Sequence, residues 1–440
     1  MILFDRYSKL RKQLPGAAIH VGQKQLLPLL SGTLRKNDLP ELIVVPTNVI
    51  ELQTILRFAA EKDMRVAVAS GHTPVSVQEL EGAMLIFTHG LVGSAQLSSD
   101  GSGIWVGSGT PLETLAVELA QRGLVWLPLH PLESGETVAT FFARACEGVR
   151  CHRGGSVLSN IRRVEWVDYE GNCYATGPGC PGDGVDVTAL LYGSGARYGI
   201  ITRFELALEQ VPETRTLVLC ECDSVGRVSE LHSGWRYGTP MPSALPVWTT
   251  TAVNAVRQGN DDFISNSTVG MIVGEWEGSV GVEVDSDVRS LRVDGVTQVN
   301  QVWQNLFRLP RTLGRLFPHR SVGRYRLPAE ALCDFDERVR QLAKDRSVDV
   351  ALWGTLDRGY LNVWVLHPDD EQRTARRARD LLERLAEDAL NLSGCPIEAG
   401  SGMCDVSLYR DAISQSWELS LVTKCDKNSR YKLLRTQPSN

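Results

Sequence analysis

The sequence predicts an α+β chain in two parts, and three observations carry that expectation. First, Glu41–Pro46 reads as a strand ended by proline, Val49–Asp63 as an amphipathic helix and Val66–Ala69 as a second strand, which together make a βαβ unit. Second, Asp183–Leu208 packs Gly193, Ser194, Gly195 and Gly199 just ahead of a run holding Ile201, Phe204, Leu206 and Leu208, which reads as a strand buried on both faces. Third, the texture changes after Pro212, where strands at Thr216–Cys222, Thr268–Glu275, Val348–Trp353 and Tyr360–Leu366 alternate with helices at Ala329–Lys344 and Asp370–Ala389. With 440 residues the chain exceeds one ordinary core. It divides into a lead-in arm (1–39), a mixed domain (40–212) and an α+β domain with an antiparallel sheet and helices on one face (213–440).

In the first domain the helix presents Leu52, Ile55, Leu56 and Ala59 on one face, and the crossover rule makes its two flanking strands parallel neighbours. Ser70–Val77 then leaves the carboxyl end of the second strand, where α/β units place ligands. Met84–Thr88 and Ile104–Val106 are further strands, and Thr110 is positioned to cap a helix with Pro111 in its first turn and Leu112, Leu115, Ala116 and Leu119 buried. Leu124–Leu129 is a strand, and Ile161–Thr176 a hairpin around Glu170, Gly171 and Asn172. A short helix over Val185–Leu191 precedes the glycine turn, whose residues either admit a ligand close to the backbone or simply make a tight turn.

Composition narrows the function. A net charge of -6 argues against a nucleic-acid binder. No run of eighteen apolar residues occurs, and charges at Asp5 and Arg6 interrupt the start, so neither a transmembrane segment nor a signal peptide is expected and the cytoplasm is the expected location. Ten cysteines include no C-x-x-C pair, so an iron–sulfur centre, if one is involved, belongs to another chain, and these thiols read as small buried groups in a reducing compartment.

Four segments in order resemble the FAD-binding PCMH-type domain of the vanillyl-alcohol oxidase family over roughly residues 40–210. They are LPELIVVPTNVIELQTILRFAAEKDMRVAVASGHT, SGETVATFFARACEG, RGGSVLSNIRRVEWVDYEGNCYATG and DVTALLYGSGARYGIITRFELAL. The second departs from the family by placing Ala139 and Thr140 where a glycine pair is usual, while Asn160 in the third keeps the pattern. The resemblance implies FAD, with the isoalloxazine at the interface to a cap domain. It implies cofactor contacts from Ala69, Ser70, Gly71, His72 and Thr73, from Gly135, Thr137, Val138 and Gly148, from Gly155 and Ser156, and from Gly195, Gly199, Ile200 and Ile201. Consecutive N–H groups and hydroxyls in the 70–73 loop suit a diphosphate. One branch of the family carries a covalently flavinylated histidine at the position of His72; the other reading is a loop histidine that bonds nearby or faces solvent. His130 and His152 read as surface loop positions, although His130 could lie over the flavin as an acid–base group.

The second half resembles the cap of the glycolate oxidase and D-lactate dehydrogenase branch, through GTLDRGYLN (354–362) and EAGSG (398–402). That branch's three histidines fall here on Thr355, Asn362 and Ala399, leaving Glu398 alone, so no metal site is expected. The closing N-P-G-K of that branch is also absent. Arg308, Arg311, Arg315, His319, Arg320 and Arg324 crowd a stretch broken by Pro310 and Pro318, which reads either as a carboxylate-binding cluster or as a solvated basic loop touching a partner. Two functions follow from the resemblance. One is an FAD-dependent oxidoreductase acting on a small hydroxylated substrate such as a 2-hydroxy acid. The other is an accessory FAD-binding subunit serving a separate catalytic flavoprotein or iron–sulfur partner. If His72 carries the flavin, acid-precipitated protein stays yellow and His72→Ala releases the colour; release of all flavin from denatured wild type removes the covalent option.

Overall fold

The computed structural model describes residues 7–31, 39–70, 75–76, 80–126, 128, 136–178, 180, 185–259, 264–317, 319–367, 372–399, 402–403 and 425. The first sheet has the order β1-β2-β4-β3, with β1 at Ala18–Val21, β2 at Leu42–Val45, β3 at Val66–Ala69 and β4 at Met84–Phe87. The two strands of the βαβ unit, β2 and β3, are parallel as expected but are not neighbours, because β4 lies between them and is parallel to both. The reason is apolarity on both faces: Met84 and Ile86 enter one core cluster and Leu85 and Phe87 another, so β4 takes a central place. Helix α1 (Val49–Glu61) starts at Asn48, whose side chain accepts from Glu51 N–H at 3.0 Å. Glu51 in turn accepts from Thr47 N–H and Gly16 N–H, and β1 pairs antiparallel with β2, so the lead-in residues are stitched into this sheet.

The second sheet is antiparallel, in the order β8-β7-β9-β6-β5, with β5 at Gln96–Leu97, β6 at Gly103–Gly107, β7 at Ile161–Val167, β8 at Cys173–Thr176 and β9 at Ile200–Ala207. Strand β9 is central and, as expected, buried on both faces; only Arg203 along it is exposed. The β7–β8 hairpin turns at Gly171 (φ +84°), with Asp168 accepting the N–H groups of Glu170 and Asn172. Three expectations shift. Helix α2 (Leu112–Gln121) begins after Pro111 rather than after Thr110, whose hydroxyl donates to Val92 C=O instead. The helix expected over Val185–Leu191 is one turn, Thr188–Leu191, held by Asp186. The strand expected over Leu124–Leu129 is Leu124–Val125, paired with Glu209–Gln210; Leu127 and Leu129 lie outside the described residues.

The third sheet has nine strands, all drawn from residues after Pro212, whereas the first two sheets draw only on residues before it. Its strands are β10 (Arg215–Cys222), β11 (Pro246–Trp248), β12 (Gly270–Glu277), β13 (Arg289–Asp294), β14 (His319–Arg326), β15 (Asp349–Thr355), β16 (Tyr360–His367), β17 (Cys395–Ala399) and β18 (Gly402–Met403). They are ordered β13-β10-β12-β11-β15-β16-β14-β17-β18 and are antiparallel throughout. Helices cover both faces, which corrects the one-face expectation. Helices α4 (Val225–Arg236), α7 (Leu332–Arg346) and α8 (Gln372–Asn391) pack with Val218, Cys220 and Val363, whereas α5 (Thr250–Gly259) and α6 (Val296–Leu316) pack with Leu217, Leu219 and Trp364. Apolar residues on both sides of the pleat need two covers. Helix α6 also runs through Pro310, where a break was expected.

The two parts meet along Cys146–Gly154. Arg150 grips Glu275 of β12 with two bonds of 3.1 Å, Arg215 stands 3.8 Å from the same carboxylate, and the Trp303 indole donates to it. Glu275 is 1% exposed. Burial pushes its carboxyl pKa up, but Arg150, Arg215 and Trp303 outweigh burial and hold it below the usual range. An acid with a depressed folded pKa adds stability above the ordinary carboxylate range and loses it as pH falls through the folded value. Glu275→Gln should therefore lower the unfolding free energy at neutral pH by about 3–5 kcal/mol, measured by guanidinium denaturation. The gap from wild type should close in acid. Arg153→Ala, which removes half-exposed pairs to Glu209 and Glu277, should cost under about 1 kcal/mol.

Candidate active site

One loop that sequence reasoning did not single out gathers several of the expected cofactor contacts. Gly107, Ser108 and Gly109 close β6, and Gly109 N–H donates to Leu91 C=O. Ser108 C=O accepts from Ala139 N–H and Thr110 C=O from Val138 N–H, which seats α3 (Val138–Ala143) against this loop. Thr137 caps α3 by accepting from Thr140 N–H at 3.1 Å. On the far side of α3, Phe142 C=O accepts from Gly193 N–H and Ala143 C=O from Gly195 N–H. Ala69 and Ser70, at the end of β3, are joined to the same group by Thr88 Oγ1, which donates to Ala69 C=O, and by His89 N–H, which donates to Ser70 C=O. Ala69, Ser70, Thr137, Val138 and Gly195 are thus brought together. The signal for the missed loop was present as Gly-Ser-Gly between a strand and a proline-led helix. Gly71, His72, Thr73, Gly135 and His130 lie outside the described residues.

The other expected contacts have visible packing roles. A Cβ on Gly148 would stand 1.8 Å from Pro128 C=O, and one on Gly199 (φ +134°) 2.3 Å from Val167 C=O, so backbone packing forbids side chains at both. Ile200 and Ile201 are buried in β9. Gly155 (φ +74°) and Ser156 form a turn held by the Asn160 amide, which donates to Gly154 C=O and Ser156 C=O.

The cap lays polar groups from β14, β15 and β16 on this region. Tyr360 packs into the apolar cluster of the first part, its hydroxyl against the Cys146 thiol, which burial pushes up to about 12 and Arg324 draws down. Glu147, 1% exposed, accepts from Tyr192 Oη at 3.0 Å, from Val157 N–H at 3.2 Å and from the Arg326 guanidinium at 2.8 Å. Arg324 is 3% exposed and lies in register with Asn362 on one side and Glu398 on the other. Thr355 and Asn362 are buried, with the Thr355 hydroxyl against the Cys151 thiol. The cap segments aligned above fall on β15–β16 and on β17–β18 of one sheet, with β14 between them, and the side chains of Glu398 and Ala399 lie outside the described residues. Among the described residues no group of three or more His, Cys, Asp and Glu is placed to hold a metal ion.

Two expectations are corrected here. His152 is not a surface loop residue: its ring lies 3.3 Å from Asp357 and 3.0 Å from Arg236 C=O, inside the join. Arg320 and Arg324 are not on a solvated loop either, since both lie on β14, with Arg320 4.5 Å over the Trp364 ring. The side chains of Arg308, Arg311, Arg315 and His319 lie outside the described residues.

One polar group in the gathered loops fits a ligand that supplies acceptors. Ser108 Oγ is fully buried and has no hydrogen-bond partner among the described residues. Comparison with known proteins points the same way. The chain is 24% identical over 227 residues to "D-lactate dehydrogenase [cytochrome], mitochondrial" of Arabidopsis thaliana, covering 51% of this chain and 40% of that protein. It is 24% identical over 193 residues to a "Probable D-lactate dehydrogenase, mitochondrial" of Danio rerio, covering 42% of this chain and 38% of that one. The chain therefore spans under half the length of these relatives. Its fold matches p-cresol methylhydroxylase with substrate bound at a TM-score of 0.74 and 12% identity, over 96% of this chain and 94% of that one. It also matches 4-ethylphenol oxidase from Gulosibacter chungangensis at a TM-score of 0.70 and 13% identity, over 93% and 92%. Residues 40–177 match the FAD binding domain family, so this stretch, which holds Ala69, Ser70, Ser108, Thr137 and Val138, is an FAD binding domain and FAD is its cofactor.

Proposed function

We propose that the chain is an FAD-dependent oxidoreductase that removes two electrons from a small hydroxylated carboxylate of the 2-hydroxy-acid type. The observation that carries the substrate class is Arg324, a buried guanidinium on the cap strand whose charge bears on Cys146 and Tyr360 of the join. A guanidinium fork matches a carboxylate, and burial strengthens the match. FAD, when bound, supplies the two-electron acceptor. The chain's own residues do the rest. By its sequence the 69–73 loop offers N–H groups and hydroxyls for the diphosphate, Thr137 and Val138 open α3, and Gly195 keeps the turn beside α3 free of a side chain. Gly135, Gly148, Gly155, Ser156, Gly199, Ile200 and Ile201 complete the proposed cradle, several of them by fixing its backbone. Tyr360 seals the apolar side against water. We place the chain in a reducing compartment, the cytoplasm in our reading, which suits the nine described cysteines, all free thiols. The curated relatives carry mitochondrial names, and among the described residues no helix is long and apolar enough to cross a membrane.

A second reading has its own support. The cap positions where the D-lactate dehydrogenase branch carries imidazoles hold Thr355, Asn362 and Ala399, as in an accessory FAD-binding subunit that serves a catalytic partner. Anaerobic addition of glycolate or D-lactate separates the two. Bleaching of the flavin bands in the isolated chain supports the enzyme, and bleaching only with a partner subunit supports the accessory role.

Gly195→Val should lower the flavin-to-protein absorbance ratio of soluble, folded protein, because Gly195 sits at φ +67° beside α3. Gly199→Val should fail earlier, as insoluble protein, because its side chain would strike β7. Full flavin content in Gly195→Val removes that residue from the site. Arg324→Lys keeps the charge and loses the fork, and should lower kcat/KM for a 2-hydroxy acid by roughly ten- to a hundredfold with flavin content unchanged.

A further inference from the structure

The sequence places a glutamate, Glu147, four residues after the cofactor-loop helix α3, and the structure buries it where three separate pieces of chain meet. The carboxylate takes a hydrogen bond from Tyr192, the residue just before the Gly193–Gly195 turn. It takes another from the N–H of Val157, next to the Gly155–Ser156 turn. Its third partner is Arg326 of the cap, two residues along β14 from Arg324 and therefore on the same face of that strand. The other charged or titratable groups bearing on it are Arg358 and Cys151. One carboxylate thus bonds the cofactor-side loops and the strand that carries the proposed substrate handle.

We propose that Glu147 is a positioning residue that fixes strand β14, and with it Arg324, against the cofactor loops. This rests on the reading that Arg324 receives the anionic end of the substrate. The physical basis is that a buried carboxylate with three donors in fixed directions has little freedom, so Arg326 can meet it only with β14 in one place. Removing the charge leaves Tyr192 and Val157 a neutral partner but takes the electrostatic grip off Arg326. The cofactor loops then keep their own bonds while the cap strand is released.

The experiment compares wild type, Glu147→Gln, Arg326→Gln and the double variant, each as full-length flavoprotein. Hydrogen exchange is read on peptides covering 319–326, with 215–222 as the control, and oxalate is titrated against the flavin absorption bands as an unreactive carboxylate probe. Exchange over 319–326 should rise about tenfold in either single variant, a weakening of roughly 1.4 kcal/mol, and the double variant should be no worse than the singles. Exchange over 215–222 and flavin content should stay as in wild type, and the oxalate dissociation constant should rise about tenfold. Unchanged exchange over 319–326, or an equal rise in both peptides, overturns the proposal. If Glu147→Gln does not fold, Arg326→Gln, which alters a half-exposed side chain, decides by the same two peptides. Should wild type show no response to oxalate, the carboxylate reading of the site fails, while the exchange comparison still tests the Glu147–Arg326 link by itself.

Discussion

The architecture depends on a buried carboxylate that is fully matched. Glu275 sits at the centre of the join with Arg150 from one part and Arg215 and Trp303 from the other. Without Arg150 it would be a buried charge short of its bidentate partner, a far costlier state than the solvated one. The short segment Cys146–Gly154 that delivers Arg150 also delivers Glu147, Cys151, His152 and Arg153, each with a partner in the cap: Arg326, Asp357 with Arg358, Asp357 again, and Glu277. A segment of this kind has no apolar periodicity to reveal it. Its information lies in the partners.

That explains which parts of the molecule were legible in the sequence. Strands β2, β3, β4 and β9 and helices α1 and α2 show themselves by runs or stripes of apolar residues, a local property. The order β2-β4-β3 does not, because a right-handed crossover leaves room for a strand between the two it connects, and only the two-sided burial of Met84–Phe87 decides who fills it. The same cause lies behind the cap. Strand β10 reads Leu217-Val218-Leu219-Cys220, apolar on both sides, and that pattern already calls for helices on two faces. Helix α4, with Val225, Val228, Leu231 and Trp235 at helical spacing, was readable in principle.

The glycines divide along similar lines. Gly148 and Gly199 look like ligand-approach residues in the sequence, yet each is fixed by a carbonyl of the chain itself, at Pro128 and Val167. Ser108 looks unremarkable between two glycines, and its buried hydroxyl is one of those without a partner among the described residues. A motif marks where backbone comes close to something; only the fold says whether that something is the protein or its ligand. His152 and Arg324 make the same point for polar residues. Both sit in stretches that read as loops, and both are drawn into the join by Asp357 in one case and by the β14 register in the other.

Two equally buried carboxylates in the join respond to burial in opposite ways, and the difference lies in how many guanidiniums come within 4 Å of each. Glu275 has two guanidiniums and an indole, enough to overturn the burial penalty and depress its pKa. Glu147 has one guanidinium within salt-bridge distance, itself half-exposed, with Arg358 acting from farther off, and burial wins, so its pKa is raised. An acid raised in the fold favours the folded state below its ordinary pKa and loses that contribution as pH rises through the raised value, whereas Glu275 contributes above the ordinary range. The join is therefore anchored by charge at Glu275, while Glu147 is held chiefly by three directed hydrogen bonds. That contact lies beside Arg324, so the strand that would meet substrate is set by the directions of three donors more than by net charge attraction.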